Sequence, residues 1–348
     1  MIMLIEYYQQ FIDGFLNPQK RLFVGCLAFS LIAAFVWLLW VKRFNAFVVI
    51  KALFSKAIWW SPSARIDYQL MLLNRLLMLF LSPYLLAQLS FSGAIFYTFY
   101  ELFPARPLFL TSWSDTSIAL LFSLLYFVVD DFFRFFTHFL MHRVPLLWVF
   151  HKVHHSAETL NPFTVLRTHP VEGIIFTGRT VLVQSIMIAS AVFFLGDRVS
   201  LFTVLGANIF VVVFNTLGAN LRHSHIALNY PRWLERFFLS PAQHHIHHSV
   251  AQRHRDKNFG VALACWDRWF FCFHYSENTR PLTFGLSQSE RMPQTLRAIY
   301  FSPLVESVEL LKNYSSFIVR YRCKVGRLLM GYRKVKKYYS SSLQETSL

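Results

Sequence analysis

Residues 22–41 read LFVGCLAFSLIAAFVWLLWV, a run of twenty uncharged and mostly apolar positions. Basic pairs at 20–21 and 42–43 flank this run on both sides. A helix needs about 20 apolar residues to cross the hydrocarbon core of a bilayer. The stretch therefore predicts a spanning helix, and the acidic Glu6 and Asp13 before it argue against a cleavable secretory signal.

The composition of the whole chain is typical of a membrane protein. Of 348 residues, 55% are hydrophobic and only 15% are charged. Four more apolar passages follow the first one, at residues 76–98, 117–142, 174–195 and 199–221. The sequence therefore predicts an all-α integral membrane protein with about five apolar helices that are transmembrane or embedded in the membrane.

The distribution of basic residues predicts which side of the membrane the polar segments occupy. Only residues 196–198 separate the last two apolar passages, so these passages are expected to form a hairpin that returns the chain to the side it left. Residues 42–75, 143–172 and 222–348 then share one side and hold 6, 3 and 19 basic residues, or 28 of the 34 in the chain. The positive-inside rule makes this side, with the C-terminus, cytoplasmic.

The formal net charge of +16 does not point to a nucleic-acid partner, because much of it lies in one C-terminal segment. Nine basic residues interleave with Phe, Tyr, Leu and Val between positions 312 and 337. This pattern suits a helix on an anionic lipid surface, and a solvated basic tail is the alternative. The four cysteines show no paired spacing, so we predict neither a disulfide nor a cysteine metal site.

Nine of the fourteen histidines form a spaced pattern. DDFFRFFTHFLMH (130–142) contains H-x-x-x-H, which places both rings on one face of a helix. The motif H-x-x-H-H then occurs twice, in FHKVHHSAE (150–158) and in QHHIHHSV (243–250), and a further histidine lies where the predicted hairpin ends. The nine are His138, His142, His151, His154, His155, His223, His244, His247 and His248.

The number of clustered imidazoles predicts a metal site with two ions. Neutral imidazoles gathered near lipid need polar partners, and one tetrahedral ion takes only about four ligands. Imidazole binds zinc, copper, iron and nickel, so the ligand type leaves the metal open. The chain lacks the H-E-x-x-H, G-x-S-x-G and G-x-G-x-x-G motifs of common soluble enzymes.

The histidine series and its connecting motifs resemble the fatty acid hydroxylase and sterol desaturase superfamily of membrane enzymes. Besides the histidines, the similar stretches are HHSAETLNPFTVLRTHPVE (154–172), LSPAQHHIHHS (239–249), DKNFG (256–260) and WDRWF (266–270). The likeness runs from about residue 130 to about residue 273. It implies three parts: an N-terminal membrane region with two spans (1–116), a fatty acid hydroxylase-like catalytic domain (117–275) and a basic C-terminal cytoplasmic segment (276–348).

What the resemblance implies is a di-iron monooxygenase in which the nine histidines are the metal ligands, with zinc as a substitute metal. Such an enzyme takes dioxygen and electrons from a separate donor protein and hydroxylates a C–H bond of a lipid. Sterols, fatty acyl chains, sphingoid bases and ether lipids are all candidate substrates, in a bacterial inner membrane or the endoplasmic reticulum. Desaturation at the same site is one alternative, and a non-catalytic membrane protein with structural zinc is another.

Five polar residues outside the nine are candidates to support the ligands: Asp131, Asp256, Asp267, His225 and His245. A carboxylate in this role accepts the second ring N–H of a ligand, whereas the alternative for Asp256 and Asp267 is a salt bridge. In relatives, Asn or Glu usually stands two residues after the match to His223, but this chain has His225, so either of the two is a ligand candidate. The remaining histidines (His169, His254 and His274) are assigned to supporting or surface positions.

Overall fold

The structure is a computed structural model that describes residues 2–17, 20–85, 88–105, 108–198, 208–216, 219–277 and 282–314. Regular structure in these residues is helical, and none of them lies in a β-strand beyond two isolated bridges, Phe238–Leu263 and Ser249–Phe284. The predicted all-α fold is confirmed.

The helices are α1 (Ile2–Leu16), α2 (Val24–Val36), α3 (Ala46–Leu53), α4 (Lys56–Trp59), α5 (Pro62–Leu85), α6 (Gln88–Leu102), α7 (Asp115–Arg143), α8 (Pro145–His155), α9 (Pro170–Leu195), α10 (Ile209–Thr216), α11 (Arg232–Glu235), α12 (Pro241–His247), α13 (Cys265–Trp269) and α14 (296–314). A π-helical turn, Trp37–Val41, extends α2. Short 3₁₀ segments lie at Pro162–Leu166, Gly196–Arg198, Ala219–His223 and Gln252–His254.

Three helical stretches of the described chain are long and apolar enough to cross a membrane, so the chain is an integral membrane protein. They are Val24–Val41, Asp115–Arg143 and Pro170–Arg198, and they match three of the five predicted passages. The passage predicted at 76–98 is divided between α5 and α6. Residues 199–207, which begin the last predicted passage, lie outside the described part, and α10 is the helix described within that passage.

The long helices pack through apolar side chains. α6, α7 and α8 all contact α9, and Ile118, Phe122 and Tyr126 of α7 form a buried cluster with Ile188 and Ala191 of α9. Area removed from water stabilises a soluble core by roughly 25 cal/mol per Å², but between helices in lipid the stabilisation comes from close van der Waals contact instead. The α7–α9 pair therefore forms the frame on which the histidine segments are held.

A charged group lies inside this frame. Asp130 accepts a hydrogen bond from Arg134 Nε, four residues further along α7, at 2.7 Å, and also from Arg179 Nη1 of α9. Charged side chains within membrane helices are costly unless they are paired. The pairing both neutralises Asp130 and links α7 to α9.

Helix boundaries next to the histidines follow from local sequence. Proline at the first position of a helix loses no hydrogen bond, and Pro145 begins α8 while Pro241 begins α12. Ser240 caps α12: its hydroxyl accepts from the Gln243 amide, and the Gln243 side chain accepts from the Ser240 amide. This capping box sets where the second H-x-x-H-H segment becomes helical.

The chain divides into two compact units, Met1–Tyr300 and Phe301–Leu348. In the second unit, residues 301–314 are helical. The predicted lipid-surface helix at 312–337 falls almost entirely outside the described residues. The division at residues 116 and 275 stays a prediction.

Candidate metal centre

The structure brings the nine predicted histidines together in two groups. In each group, one ring nitrogen from every histidine lies within 4.8 Å of the others. We call them centre 1 and centre 2. Centre 1 consists of His138, His142, His151, His155 and His247, and centre 2 consists of His154, His223, His244 and His248.

The two H-x-x-H-H motifs contribute to both centres in opposite ways. In α8, the i and i+4 histidines, His151 and His155, belong to centre 1, whereas His154 belongs to centre 2. In the second motif, which ends one residue after α12, the outer pair His244 and His248 belongs to centre 2, whereas His247 belongs to centre 1. At about 100° per residue, i+4 lies about 40° to one side of i and i+3 lies about 60° to the other side. One helix with this motif therefore presents ligands to two neighbouring ions.

The geometry of centre 2 fits a four-coordinate ion. His223 Nε2 lies 3.0 Å from the Nε2 atoms of His154 and His244 and 3.2 Å from that of His248. Bonds of about 2.0–2.1 Å to a tetrahedral ion place ligand atoms about 3.3 Å apart. A ring nitrogen carries at most one proton, so His223 Nε2 cannot hydrogen-bond with three other ring nitrogens. The convergence therefore fits four ligands of one shared cation better than a hydrogen-bond network.

Centre 1 shows the same need for a cation. His138 Nε2 and His151 Nε2 are 3.1 Å apart. The Nε2 atoms of His142, His155 and His247 are buried without a hydrogen-bond partner. Buried polar atoms normally have a hydrogen-bond partner, and a group of exceptions in one place is a feature of sites that bind an ion. Five imidazoles exceed a tetrahedral shell, so the donor set fits an ion with a higher coordination number.

Burial keeps these imidazoles neutral, as metal ligands must be. For the ligand candidates outside the membrane-spanning segments, burial lowers the pKa well below the usual value near 6.5, with neighbouring imidazoles adding to the effect. The pKa of His154 is lowered to about 3, first by burial. At neutral pH their lone pairs are therefore available to a metal.

Four ligand rings are oriented through their second nitrogen, Nδ1. His138 donates to the Phe259 carbonyl at 2.7 Å, and His247 donates to the Lys257 carbonyl at 2.9 Å. His151 donates to the Glu172 carboxylate at 2.8 Å, and the weaker contact of His154 is to the Arg167 carbonyl at 3.3 Å. These contacts fix the tautomer in which Nε2 faces the centre.

Glu172 is a functional residue that sequence reasoning missed. It lies in the first turn of α9, is buried, and is the carboxylate that contacts a ligand ring. In the sequence, Glu172 ends the stretch THPVE (168–172), in which a proline that can begin a helix follows His169. This position in the first turn of a predicted helix, close to the histidine motifs, is the signal that could have identified Glu172.

The predicted carboxylates hold a loop instead of a ligand ring. Asp131 accepts from the amides of Ala262 and Leu263 and from Trp266 Nε1. Asp267 accepts from the amides of Phe259 and Gly260, and burial raises the pKa of Asp267 to about 7. Their effect on the centre is therefore indirect, because the loop they hold carries the Phe259 carbonyl.

The other predicted supporting residues lie away from the ring nitrogens. Asp256 is 3.6 Å from Arg143, in the salt bridge that was its alternative role. His225 Nε2 donates to the Ala52 carbonyl, and His245 Nε2 donates to the Leu221 carbonyl. The structure therefore places His223, and not His225, among the converging nitrogens.

A second missed feature is a buried ion pair behind α8. Arg167 Nη1 donates to Asp67 of α5 at 2.9 Å, and Arg167 Nε donates to the Val153 carbonyl. Both charged side chains are fully buried, and Asn161 and Thr164 complete the hydrogen bonds to Asp67. The pair joins α5, α8 and the segment before α9.

An additional missed residue, Arg21, lies beside centre 2. One of its guanidinium nitrogens donates to the Ala219 carbonyl and lies 3.2 Å from His223 Nδ1. Burial lowers the pKa of Arg21 to about 9, helped by the nearby charges of Arg222 and Arg134, so the guanidinium remains charged at neutral pH.

A cavity of about 380 Å³ opens next to the centres. His142, His155, His247 and His248 form part of its wall. Trp148 also lines it, with its ring centroid 5.0 Å from that of His142. Arg255, Asp256 and Glu290 add charged groups to the same wall, so this opening gives small polar molecules access to the ligand rings.

Fold and site together define a class: a helical membrane protein with two adjacent groups of buried histidines, each of which could hold a metal ion. The scan against protein-family models agrees with this class, since residues 123–271 match the fatty acid hydroxylase family. The resemblance that the histidine series predicted is therefore confirmed over these residues, which make up less than half of the chain.

Two curated proteins that are similar to this chain are named as alkylglycerol monooxygenases. The alkylglycerol monooxygenase of Caenorhabditis elegans is 26% identical over 173 residues, which are 49% of this chain and 30% of the relative. The alkylglycerol monooxygenase of Homo sapiens is 27% identical over 161 residues, 46% of this chain and 32% of the relative. The matches thus span about a third of each relative. No solved structure matches the chain.

Proposed function

We propose that this chain is a membrane-bound lipid monooxygenase that holds one iron ion in centre 1 and one in centre 2. It takes dioxygen and electrons from a separate donor protein and hydroxylates a C–H bond of a lipid. The observation that carries the proposal is the convergence of nine neutral imidazoles on two points, within a segment that matches the fatty acid hydroxylase family.

When bound, the two irons supply the dioxygen chemistry that attacks an unreactive C–H bond. The chain's own residues prepare the site for it. Burial keeps the ligand imidazoles neutral. Hydrogen bonds to Glu172 and to the Phe259 and Lys257 carbonyls fix the orientation of three of the rings. The apolar lengths of α7 and α9 reach the same site, so a lipid chain can approach it from within the bilayer.

An ether lipid of the alkylglycerol type is the first substrate to test. Both similar proteins are named as alkylglycerol monooxygenases, and these names favour hydroxylation over desaturation. The exposed leucines of the spans, such as Leu120 and Leu124 of α7 and Leu182 of α9, suit contact with alkyl chains.

The decisive experiment follows labelled dioxygen into product. The purified chain is reconstituted anaerobically with Fe²⁺, supplied with a reductant and an alkylglycerol, and exposed to ¹⁸O₂. We expect an alcohol that carries the label and about two irons per chain. An alkene without label supports desaturation, and zinc retention without dioxygen uptake supports a structural role.

A pair of variants connects activity with the site. His247→Ala removes a centre 1 ligand and is expected to abolish turnover while the protein stays in the membrane. His225→Ala is the matched control, because His225 lies outside both centres and bonds to the Ala52 carbonyl. If His247→Ala keeps its turnover, the ligand assignment is wrong.

The proposal includes a side and a membrane. The 28 basic residues on the histidine side favour a cytoplasmic site, in a bacterial inner membrane or the endoplasmic reticulum. In sealed vesicles of known orientation, protease added from the cytoplasmic side is expected to remove a C-terminal tag. Protection of the tag contradicts this orientation.

A further inference from the structure

A third group of potential metal ligands lies outside centres 1 and 2. It consists of His254, His274 and Glu277, which each offer one atom within 4.8 Å of the others. His254 is fully buried, whereas His274 and Glu277 are partly exposed. None of these residues contributes a nitrogen to the nine-histidine site.

Hydrogen bonds determine which ring nitrogens of this group carry lone pairs. His274 Nδ1 donates to the Tyr275 carbonyl at 2.7 Å, which leaves His274 Nε2 without a proton in the neutral ring. Arg253 Nε donates to His254 Nε2 at 3.1 Å, so this nitrogen is also an acceptor. In the His254 tautomer that accepts from Arg253, two nitrogen lone pairs therefore face one carboxylate.

The distances between these atoms suit ligands of a common ion. Glu277 Oε1 is 3.3 Å from His254 Nε2 and 3.7 Å from His274 Nε2. The second distance is too long for a hydrogen bond, and the first is a hydrogen bond only when His254 carries its proton on Nε2, the nitrogen that also accepts from Arg253 Nε. Ligand atoms on a tetrahedral zinc lie about 3.3 Å apart, so small movements bring the three atoms onto one ion.

From these contacts, the geometry points to a third metal site, in which His254, His274 and Glu277 bind one zinc-like divalent ion. Two imidazoles and a carboxylate are a ligand set that zinc accepts, with a fourth position left for water. The inference concerns residues separate from the proposed dioxygen chemistry, although it is tested on the same protein.

Arg253 is the internal competitor for this site. Its guanidinium donates to Glu277 Oε2 at 2.7 Å as well as to His254. The Arg253 side chain is 58% exposed, so it can turn into solvent when an ion binds. An exposed ion pair contributes at most about 1 kcal/mol, which a metal can readily displace.

The third ion has a structural consequence for centre 1. His254 begins the segment that leads to Lys257, whose carbonyl accepts from His247. The next residue, Asn258, donates to the Gln243 and His274 carbonyls and accepts from the His274 amide. An ion shared by His254 and His274 therefore braces the loop that orients a centre 1 ligand.

Counting metals in variants of the full chain tests the inference. Chelator-treated protein in detergent is titrated with zinc, freed of excess metal and analysed for zinc per chain. We expect three ions in the original chain and two in His274→Ala and in Glu277→Gln. His225→Ala, a histidine change outside all three groups, is expected to keep three.

A variant that is expected to strengthen zinc binding distinguishes the loss of a ligand from misfolding of the protein. Arg253→Gln removes the competing cation, so it is expected to keep three ions and to lower the half-saturating zinc concentration of the third by up to about fivefold. Two ions in the original chain and still two in Arg253→Gln overturn the third site. Loss of ions in His244→Ala and His247→Ala reports separately on centres 1 and 2, so the two proposals can fail independently.

Discussion

Each ligand imidazole has two nitrogens: Nε2 faces the centre, and Nδ1 points away from it. The contacts of Nδ1, the outward nitrogen, differ from ring to ring. In centre 1, three of five rings donate from Nδ1 to a carbonyl or to Glu172. In centre 2, the Nδ1 atoms of His244 and His248 are buried without a partner. Because such contacts fix the tautomer and the ring orientation, the rings of His244 and His248 lack a restraint that the rings of His138, His151 and His247 have.

Glu172→Gln tests this role of the outward contact. The amide keeps the shape of the side chain but replaces the carboxyl group that is hydrogen-bonded to His151 Nδ1. Loss of such a partner typically costs about 10–100-fold in metal affinity or activity, and we expect this loss for the ion in centre 1 in a metal titration. Glu158→Gln changes a partly exposed carboxylate and is the control; equal affinities in both variants contradict the assignment.

At the scale of helices and loops, two devices hold the ligand segments. The Arg167–Asp67 pair fastens α8 and the segment before α9 to α5, and the Arg167 carbonyl accepts from His154. The loop that contains Phe259 and Gly260 is held by Asp131 and Asp267. Both devices place backbone carbonyls next to histidine rings.

Arg167→Met is expected to destabilise the protein strongly. It leaves the Asp67 carboxylate buried without its cation, and removal of one partner from a buried pair costs about 3–5 kcal/mol. Thermal unfolding in detergent measures the change. Arg291→Met breaks an exposed pair with Glu158 and is expected to cost no more than about 1 kcal/mol. Similar midpoints for the two variants show that the buried pair is not structurally important.

Gly260→Ala tests the loop. A Cβ at this position comes within 2.5 Å of Asp267 Oδ2 and of Leu239 Cδ1, and 3.0 Å from the Leu263 carbonyl. Overpacking of this kind costs about 1–3 kcal/mol, and the shift is expected to draw the Phe259 carbonyl away from His138 and to weaken centre 1. Gly178→Ala meets nothing within 4 Å and serves as the control. Unchanged metal affinity in Gly260→Ala contradicts the coupling.

At the scale of the whole molecule, the membrane-spanning frame carries a polar site that contains few compensating acids. Ligands come from α7, α8, α12 and the 3₁₀ segment Ala219–His223, so every part of the site depends on the packing of distant segments. The site therefore forms only when these segments pack together, and the same packing buries all of its imidazoles.

Acidification is expected to unfold the metal-free protein. Burial places the folded-state pKa values of seven ligand histidines below their unfolded value near 6.5. Below pH 6.5 the unfolded chain therefore binds more protons, and each histidine lowers stability by up to about 1.4 kcal/mol per pH unit. Above pH 6.5 these groups contribute no pH dependence. Unfolding midpoints measured from pH 8 to pH 5 test this, and a constant midpoint contradicts it.

The sequence by itself determined the membrane class, the all-α fold and the set of nine clustered histidines. Apolar length and the i, i+3, i+4 spacing are local properties, and a helix converts them directly into spans and ligand faces. These features follow from 22–41 and from the two H-x-x-H-H motifs without knowledge of the packing. The catalytic chemistry and the iron content stay proposals.

Only the tertiary structure decided how the nine histidines divide into five and four, and which groups contact their outward nitrogens. The spacing that puts His151 and His155 on one face does not say which ion either faces, because that depends on where α12 docks. The same holds for Glu172, which reaches His151 across 21 positions of sequence. Asp131 and Asp267 were expected at ligand rings, yet they hold backbone amides instead, because hydrogen-bond partners are chosen by packing between segments that are distant in sequence.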